Sequence, residues 1–259
     1  MFDSDSGNPG KFNRNRAAFT LMEMLAVMML MAIVITPLCL RARSAGDVTD
    51  AVNTVAGLLE TAASYSRANN TYVWVGFFEE NSSAAPSLPA QSGTGRIVVS
   101  VVASKDGTPI VDASGPGTPI DSARLIQVCK LTKIENMHLA DVPSPVNPDA
   151  SGGAGEWDAR PEVRTAHVTY RIGETSPNRT SFPFRYPVGI TATVSEYNFV
   201  KTVRFSPDGE ALLNTSYSLV PWIEVGFQPA NGIPVNRNCA NVAAIQVSGV
   251  SGSIEIYRR

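Results

Sequence analysis

The sequence predicts an α+β protein, with a long N-terminal helix packed on an antiparallel β-sheet domain. Residues 19–40 form an apolar run that contains one acidic residue. From residue 43 the apolar side chains recur at steps of three and four, which indicates an amphipathic helix. After residue 70 this period gives way to short apolar or alternating runs between turn-forming residues, which indicate strands. The chain therefore divides into residues 1–18, 19–40, 41–70 and 71–259.

The segment before the apolar run, residues 1–18, has no apolar periodicity. Arg14 and Arg16 lie close to the run, and positive charge on that side favours a cytoplasmic N-terminus. The small pair Ala17 and Ala18 precedes the apolar run, whereas the small-residue cleavage site of a secretory signal peptide follows it. A cut after Ala18 would leave the apolar helix on the mature protein. We interpret residues 1–18 as a cytoplasmic leader peptide.

Residues 19–40 are predicted to cross a membrane as a helix. At 1.5 Å per residue they extend roughly 33 Å, enough for a hydrocarbon core of about 30 Å. Glu23 lies within this run, and even the lower estimates put the cost of a central charge at about 2.5–3.5 kcal/mol. Glu23 therefore either has a specific partner or lies near the headgroups of a simple single-pass anchor.

The helix is predicted to continue through residues 41–70 with one apolar face. The apolar stripe consists of Val48, Val52, Val55, Leu59 and Ala62. Charged and polar residues occupy the other positions, so the stripe is expected to pack on the sheet. The period ends near residue 70, where two asparagines follow each other.

The last 189 residues are predicted to form one β-rich domain, because they suffice for a single core and contain no second long helical pattern. Candidate strands are 71–78, 96–104, 124–131, 164–172, 190–205 (broken), 218–227, 243–248 and 253–257. Turn signals occur at 105–107, 206–209 and 249–252. The stretches 79–95 and 141–161 are rich in Pro, Ser, Gly and Ala, and are expected to be surface loops.

The sequence contains no recognisable catalytic motif. His138 and His167 are the only histidines, and no zinc-protease, paired-cysteine or phosphate-loop pattern occurs. The acidic residues of 141–161 match no calcium-loop spacing. With a formal net charge of −2, no strong attraction to nucleic acid is expected. We predict a non-enzymatic protein without cofactor, metal or nucleic-acid partner.

Three cysteines are present, of which Cys129 and Cys239 fall in the β-rich part. An oxidising envelope would permit a disulfide between them. Closing a loop of about 110 residues could contribute roughly 4–5 kcal/mol in the chain-entropy model. Two buried thiols are an equal alternative, because the sequence does not give the distance between their Cα atoms.

The string AFTLME at residues 18–23, followed by the apolar run, resembles the start of type IV prepilins and type II secretion pseudopilins. The resemblance implies cleavage between Ala18 and Phe19 by prepilin peptidase and N-methylation of Phe19. It also implies that Glu23 is the carboxylate used in assembly. The usual residue before the cut is Gly, and here it is Ala18. The string VRFSPDG at 203–209, with a late hairpin, is similar to H-type minor pseudopilins, and the layout also resembles prepilin-like proteins of a verrucomicrobial cassette.

The resemblance implies a subunit that assembles through its N-terminal helix into a type IV pilus or a type II secretion pseudopilus. Its partners would be other pilin or pseudopilin subunits, an inner-membrane assembly platform and membrane lipid. It would cross the bacterial inner membrane once, with the C-terminal domain in the periplasm or within a periplasmic or surface filament. The alternative is a membrane-anchored binding module, a tip or adhesin-like protein that captures a ligand or DNA.

Overall fold

The computed structural model of the chain describes residues 21–110, 118–146, 148, 156–163, 170–174, 182–189, 194–213, 220–232, 235 and 239–259. For residues 32–47 it describes the helical backbone alone. The predicted leader 1–18 lies outside the described residues. The chain divides after Ala42 into two compact units.

The secondary structure begins with one long helix and continues mainly as strands. Helix α1 spans Leu21–Ala68, and a short helix α2 spans Glu156–Ala159. The strands are β1 Val73–Asn81, β2 Gly95–Ser104, β3 Leu125–Gln127, β4 Thr132–Leu139, β5 Arg171–Ile172, β6 Phe184–Tyr186, β7 Tyr197–Phe199, β8 Lys201–Phe205, β9 Ala211–Leu212, β10 Trp222–Pro229, β11 Ala243–Ser248 and β12 Ile254–Arg258.

Within the described residues the strands form two sheets. The larger has ten strands in the order β12-β11-β10-β4-β2-β1-β8-β9, with β3 paired to β2 and β5 paired to β10. Its pairings are antiparallel except that of β5 with β10, which is parallel. The smaller sheet is the antiparallel pair β6 and β7. The predicted α+β class with a large antiparallel sheet is confirmed.

The amphipathic part of α1 packs on one face of the large sheet, as its sequence pattern predicts. Each residue of the predicted stripe, from Val48 to Ala62, is at most 2% exposed. They share one apolar cluster with sheet residues such as Val75, Val99 and Val225. The stripe is buried because positions three and four apart lie on one side of a helix.

This packing predicts different costs for two nearly isosteric residues of α1. Val55 is fully buried, whereas Thr54 is exposed. We expect Val55→Ala to lower the free energy of unfolding by about 2–3 kcal/mol, because buried methyl groups are lost and a cavity is left. Thr54→Ala removes a similar volume from the surface and should change the free energy of unfolding by no more than about 0.5 kcal/mol. Urea unfolding of the purified chain measures both. Equal effects would contradict the packing.

The opposite face of the sheet carries a second apolar cluster under the β6–β7 pair. Trp74 and Val98 point to this side and pack with Phe184, Tyr197 and Phe199. Gly76 of β1 is the point of closest approach. A Cβ built there would lie 2.6 Å from a ring carbon of Phe184 and 2.8 Å from Cβ of Phe199. The sheet is therefore covered on both faces, which explains why most of β2 is buried.

Charged groups are also buried, at the β10 and β11 side of the sheet. Glu224 of β10 is 0% exposed and accepts hydrogen bonds from Arg160 Nε at 2.9 Å, Arg171 Nε at 2.8 Å and Gln246 Nε2 at 2.9 Å. The guanidinium of Arg160 lies 4.2 Å from the centre of the Trp157 ring and donates to the Trp157 carbonyl. This Glu224 network joins α2 and β5 to the sheet.

Most predicted strands are confirmed, and the structure contains three strands that the prediction lacks. β1, β2, β10, β11 and β12 lie within four residues of the predicted ranges, and 190–205 is broken at residue 200, between β7 and β8. The candidate 124–131 is wrong beyond Gln127, because the next strand begins at Thr132. The strands absent from the prediction are β4, β6 and β9. Part of the candidate 164–172 lies outside the described residues.

Two of the predicted turns organise the end of the chain. At 206–209 the amide of Gly209 donates to the Ser206 carbonyl at 3.0 Å, and Gly209 has a φ of 95°. That left-handed conformation is one that glycine adopts without a steric penalty. At 249–252 the chain reverses between β11 and β12, and the Gly252 amide donates to the Ser248 carbonyl at 2.8 Å. The late hairpin predicted from the sequence is confirmed.

Candidate functional site

The first turns of α1 present a continuous apolar surface. Nine large apolar side chains between residues 21 and 31 are 46–83% exposed. They are Leu21, Met22, Met24, Leu25, Val27, Met28, Met29, Leu30 and Met31. Full burial of one such side chain is more favourable than its exposure by about 1.5–3 kcal/mol. A cluster of exposed large apolar side chains is typical of a site that binds other apolar groups. We call residues 21–31 the apolar segment.

Glu23 lies in the first turn of α1, inside the apolar segment. Its side chain is exposed, and it lies at the helix end where a negative charge is favoured by the helix dipole. Ala18 and Phe19, the predicted cleavage and methylation residues, lie outside the described residues. The structure therefore gives the place of Glu23 on α1, and the Phe19 amine lies outside the described residues.

Among the residues that the structure describes, no helical stretch combines the length and apolarity needed to cross a membrane. The predicted span 19–40 extends beyond those residues at its start. Its side chains beyond residue 31 are not described.

The apolar segment lies within the residues that match a recognised sequence motif. A family model described as the prokaryotic N-terminal methylation motif matches residues 13–38, which include Ala18, Phe19 and Glu23. The chain carries the hallmark motif of type IV prepilin-like and pseudopilin-like proteins. No curated protein and no solved structure gives a significant match to the chain. The motif supports processing by prepilin peptidase and membrane association, and the fold of the β-rich unit rests on the structure alone.

The two cysteines of the predicted disulfide are separate thiols in the structure. Cys129 follows β3 and packs against the core, and burial raises the pKa of its thiol. Cys239 precedes β11, and its Sγ accepts a hydrogen bond from the Asn241 amide at 3.3 Å. A bridge between them stays a prediction for an oxidising compartment.

One polar site of the folded chain has no signal in the sequence. His138 of β4 is 1% exposed, and its Nδ1 lies 2.5 Å from Oε1 of Glu79 on β1. Its Nε2 lies 3.7 Å from Oε2 of Glu174, just beyond β5. Lys201 of β8 donates to the carbonyl of Gly173 and, at 3.0 Å, to that of Glu174. These groups border a cavity of about 280 Å³.

Electrostatics at this cavity are dominated by burial and by carboxylates. Burial lowers the pKa of Lys201, while Glu79, Asp141 and Glu174 act in the opposite direction by favouring its charged form. The described part of the chain contains no group of three or more His, Cys, Asp or Glu side chains that could hold a metal ion. The close contacts of His138 and the hydrogen bonds of Lys201 join β1, β4, β8 and the residues after β5 around the cavity.

Proposed function

We propose that the chain is a non-enzymatic pilin-like subunit that assembles through its N-terminal helix. Prepilin peptidase would cut between Ala18 and Phe19, and the new Phe19 amine would be N-methylated. The subunit would then join a type IV pilus or a type II secretion pseudopilus. The observation that carries this proposal is the methylation motif, placed on a helix whose apolar segment is exposed.

The apolar segment supports assembly because the described residues of this chain bury little of its side-chain surface. Lipid tails or the helices of neighbouring subunits could cover nine such side chains, and both are available to a filament subunit in a membrane. The five methionines in residues 22–31 favour contacts with neighbours of varied shape, since the thioether side chain is flexible and polarisable. Other pilin subunits, an assembly platform in the inner membrane and lipid are therefore the proposed partners.

Glu23 supports an ordered assembly rather than a simple anchor. Cleavage would create an ammonium at Phe19, close to the apolar phase. A buried carboxylate and a buried ammonium each cost several kcal/mol alone and offset much of that cost when paired. A pair between Glu23 of one subunit and Phe19 of the next would fix the axial position of the two helices. We therefore propose Glu23 as the residue that sets the register of assembly.

The β-rich unit fits the proposal of a minor, H-type pseudopilin-like subunit. Its support is the turn at 206–209 and the β11–β12 hairpin, both of which contributed to that resemblance. In this proposal the β-rich unit lies in the periplasm, and α1 connects it to the membrane.

The size of residue 18 provides a direct test of the proposed cleavage. We expect Ala18→Gly to be processed at least as completely as the natural chain, because a pocket that accepts only small side chains accepts glycine. Ala18→Leu should accumulate as the uncut precursor. The measurement is the electrophoretic shift of the chain in cells with and without prepilin peptidase, and the strain without the enzyme is the control. Equal, peptidase-dependent cutting of Ala18→Leu would contradict the proposed site.

A further inference from the structure

The asparagine at position 231 is the only one in the sequence that is followed by glycine. In such a pair, a bond between the glycine backbone nitrogen and the side-chain amide carbon of the asparagine closes a five-membered ring. Glycine favours this closure, because it has no Cβ to shield its nitrogen and its backbone reaches conformations that other residues avoid. Asparagine is one of the thermolabile residues of proteins. The pair Asn231 and Gly232 is therefore a candidate for covalent change.

The two reacting groups lie in the segment that follows β10. Asn231 is exposed. Gly232 has a φ of 66°, and a Cβ built there would lie no closer than 3.9 Å to any atom beyond its chain neighbours. Within the described part of the chain, neither the Asn231 side-chain amide nor the Gly232 backbone amide forms a hydrogen bond. Ring closure would therefore break no hydrogen bond that the structure describes.

Asn81, at the end of β1, shows the opposite arrangement, although a small residue also follows it. The Ser82 amide donates to the Thr94 carbonyl at 3.1 Å. The Oδ1 atom of Asn81 accepts a hydrogen bond from the Ser83 amide at 2.9 Å. Attack by the Ser82 nitrogen would require its backbone hydrogen bond to break first, which lowers the population of reactive molecules. Asn81 therefore serves as an internal reference for Asn231.

We propose that Asn231 is a site of spontaneous deamidation in the folded chain. The Gly232 nitrogen loses its proton to solvent base and forms a bond to Cγ of Asn231. The bond between Cγ and Nδ2 then breaks, and Nδ2 takes a proton from water and leaves as ammonia. A water molecule opens the resulting succinimide at either of its two carbonyl groups. The products are aspartate and isoaspartate, each with a carboxylate, and no oxidant or reductant takes part.

The isoaspartate product would alter the contact of this segment with β2, because it adds a methylene group to the backbone. A Cβ built at Gly95, the first residue of β2, would lie 2.7 Å from the Gly232 carbonyl oxygen, so the two backbones already approach closely. The ladder between β2 and β4 shifts its register between Gly95 and Arg96. Deamidation therefore places a new negative charge and a longer backbone beside the irregular start of β2.

Mass spectrometry of the full chain after incubation in detergent micelles tests the proposal. We expect the peptide with residues 231 and 232 to gain one mass unit and to split into two chromatographic species, aspartate and isoaspartate. Fragment spectra localise the change to Asn231. Conversion should be faster in mildly alkaline than in mildly acidic buffer, because the attacking nitrogen must lose its proton. The peptide that contains Asn81 should keep its mass over the same period.

Two controls make the result specific. Asn231→Gln keeps the side-chain amide but would have to close a six-membered ring, so its peptide should keep its mass. In the natural chain unfolded in urea, the hydrogen bond between Ser82 and Thr94 is lost, and Asn81 should convert faster than in the folded chain. Equal conversion of Asn81 and Asn231 in the folded chain would overturn the proposal. A folded chain that keeps its mass at Asn231 while the unfolded chain converts there would also overturn it.

Discussion

Glu23→Ala is expected to abolish incorporation of the chain into filaments while leaving its membrane insertion intact or improved. Removing the carboxylate from the apolar segment removes a charge that is costly in a membrane, so insertion does not depend on it. In the assembled state, however, the neighbouring Phe19 ammonium would remain buried without its partner. Breaking a buried pair in this way costs about 3–5 kcal/mol, which corresponds to a fall of roughly two to four orders of magnitude in association.

The matched control for this variant lies on the same helix. Glu60 is an exposed carboxylate of α1 outside the apolar segment, and Glu60→Ala should assemble normally. Glu23→Gln separates charge from side-chain size, because it keeps the length and polarity of the residue. Co-purification with partner pilins from membranes measures assembly, and fractionation measures insertion. Normal incorporation of Glu23→Ala would remove the proposed role of this residue.

Glu224→Gln is expected to lower the free energy of unfolding by about 3–5 kcal/mol, because two guanidinium groups would lose their shared carboxylate in the interior. The side chains of Arg160 and Glu224 are both 0% exposed, and that of Arg171 is 11% exposed. Nothing in the surrounding described residues offers them a second carboxylate within salt-bridge distance. Urea unfolding of the full chain, monitored by tryptophan fluorescence, measures this decrease in the free energy of unfolding.

Glu135→Ala provides the surface control for the Glu224 variant. Glu135 also pairs with an arginine, Arg96, but its side chain is 54% exposed. Such pairs contribute about 0–1 kcal/mol. A further variant that replaces Arg160, Arg171 and Glu224 together by apolar residues should recover much of the stability, because buried ion networks are often no more stable than packed apolar groups. Equal losses for Glu224→Gln and Glu135→Ala would contradict the account.

The elements with regular local patterns were predictable from the sequence. The stripe from Val48 to Ala62 repeats at helical spacing, and all of it is buried on the sheet. β2 and β11 are continuous apolar or alternating runs bounded by turn residues, and they lie close to their predicted positions. In each case a single stretch of chain contains the whole signal.

The missing strands have physical reasons. The first half of β4 alternates half-buried and exposed residues but contains one apolar side chain, Ile134, and Asn136 then interrupts the alternation with a φ of 58°. β9 has two residues and β6 has three, which is too short for a period to appear. The parallel pairing of β5 with β10 joins residues more than fifty positions apart.

The polar sites likewise differ in whether one stretch of sequence contains all of their residues. The methylation motif is local, so roles for Ala18, Phe19 and Glu23 could be predicted from one string of residues, which lies within the range that the family model matches. The Glu224 network and the His138–Glu79 contact draw their members from separate elements. Arg160 and Arg171 are 64 and 53 positions from Glu224, and Glu79 is 59 positions from His138. Only the folded chain brings these groups together.

The mass of the mature N-terminus tests the central claim most directly. In cells that contain prepilin peptidase, the account predicts a chain that begins at Phe19 and carries a methyl group on its amine. In cells without the enzyme it predicts the precursor, with residues 1–18 attached. A precursor that stays intact in both strains would contradict the account.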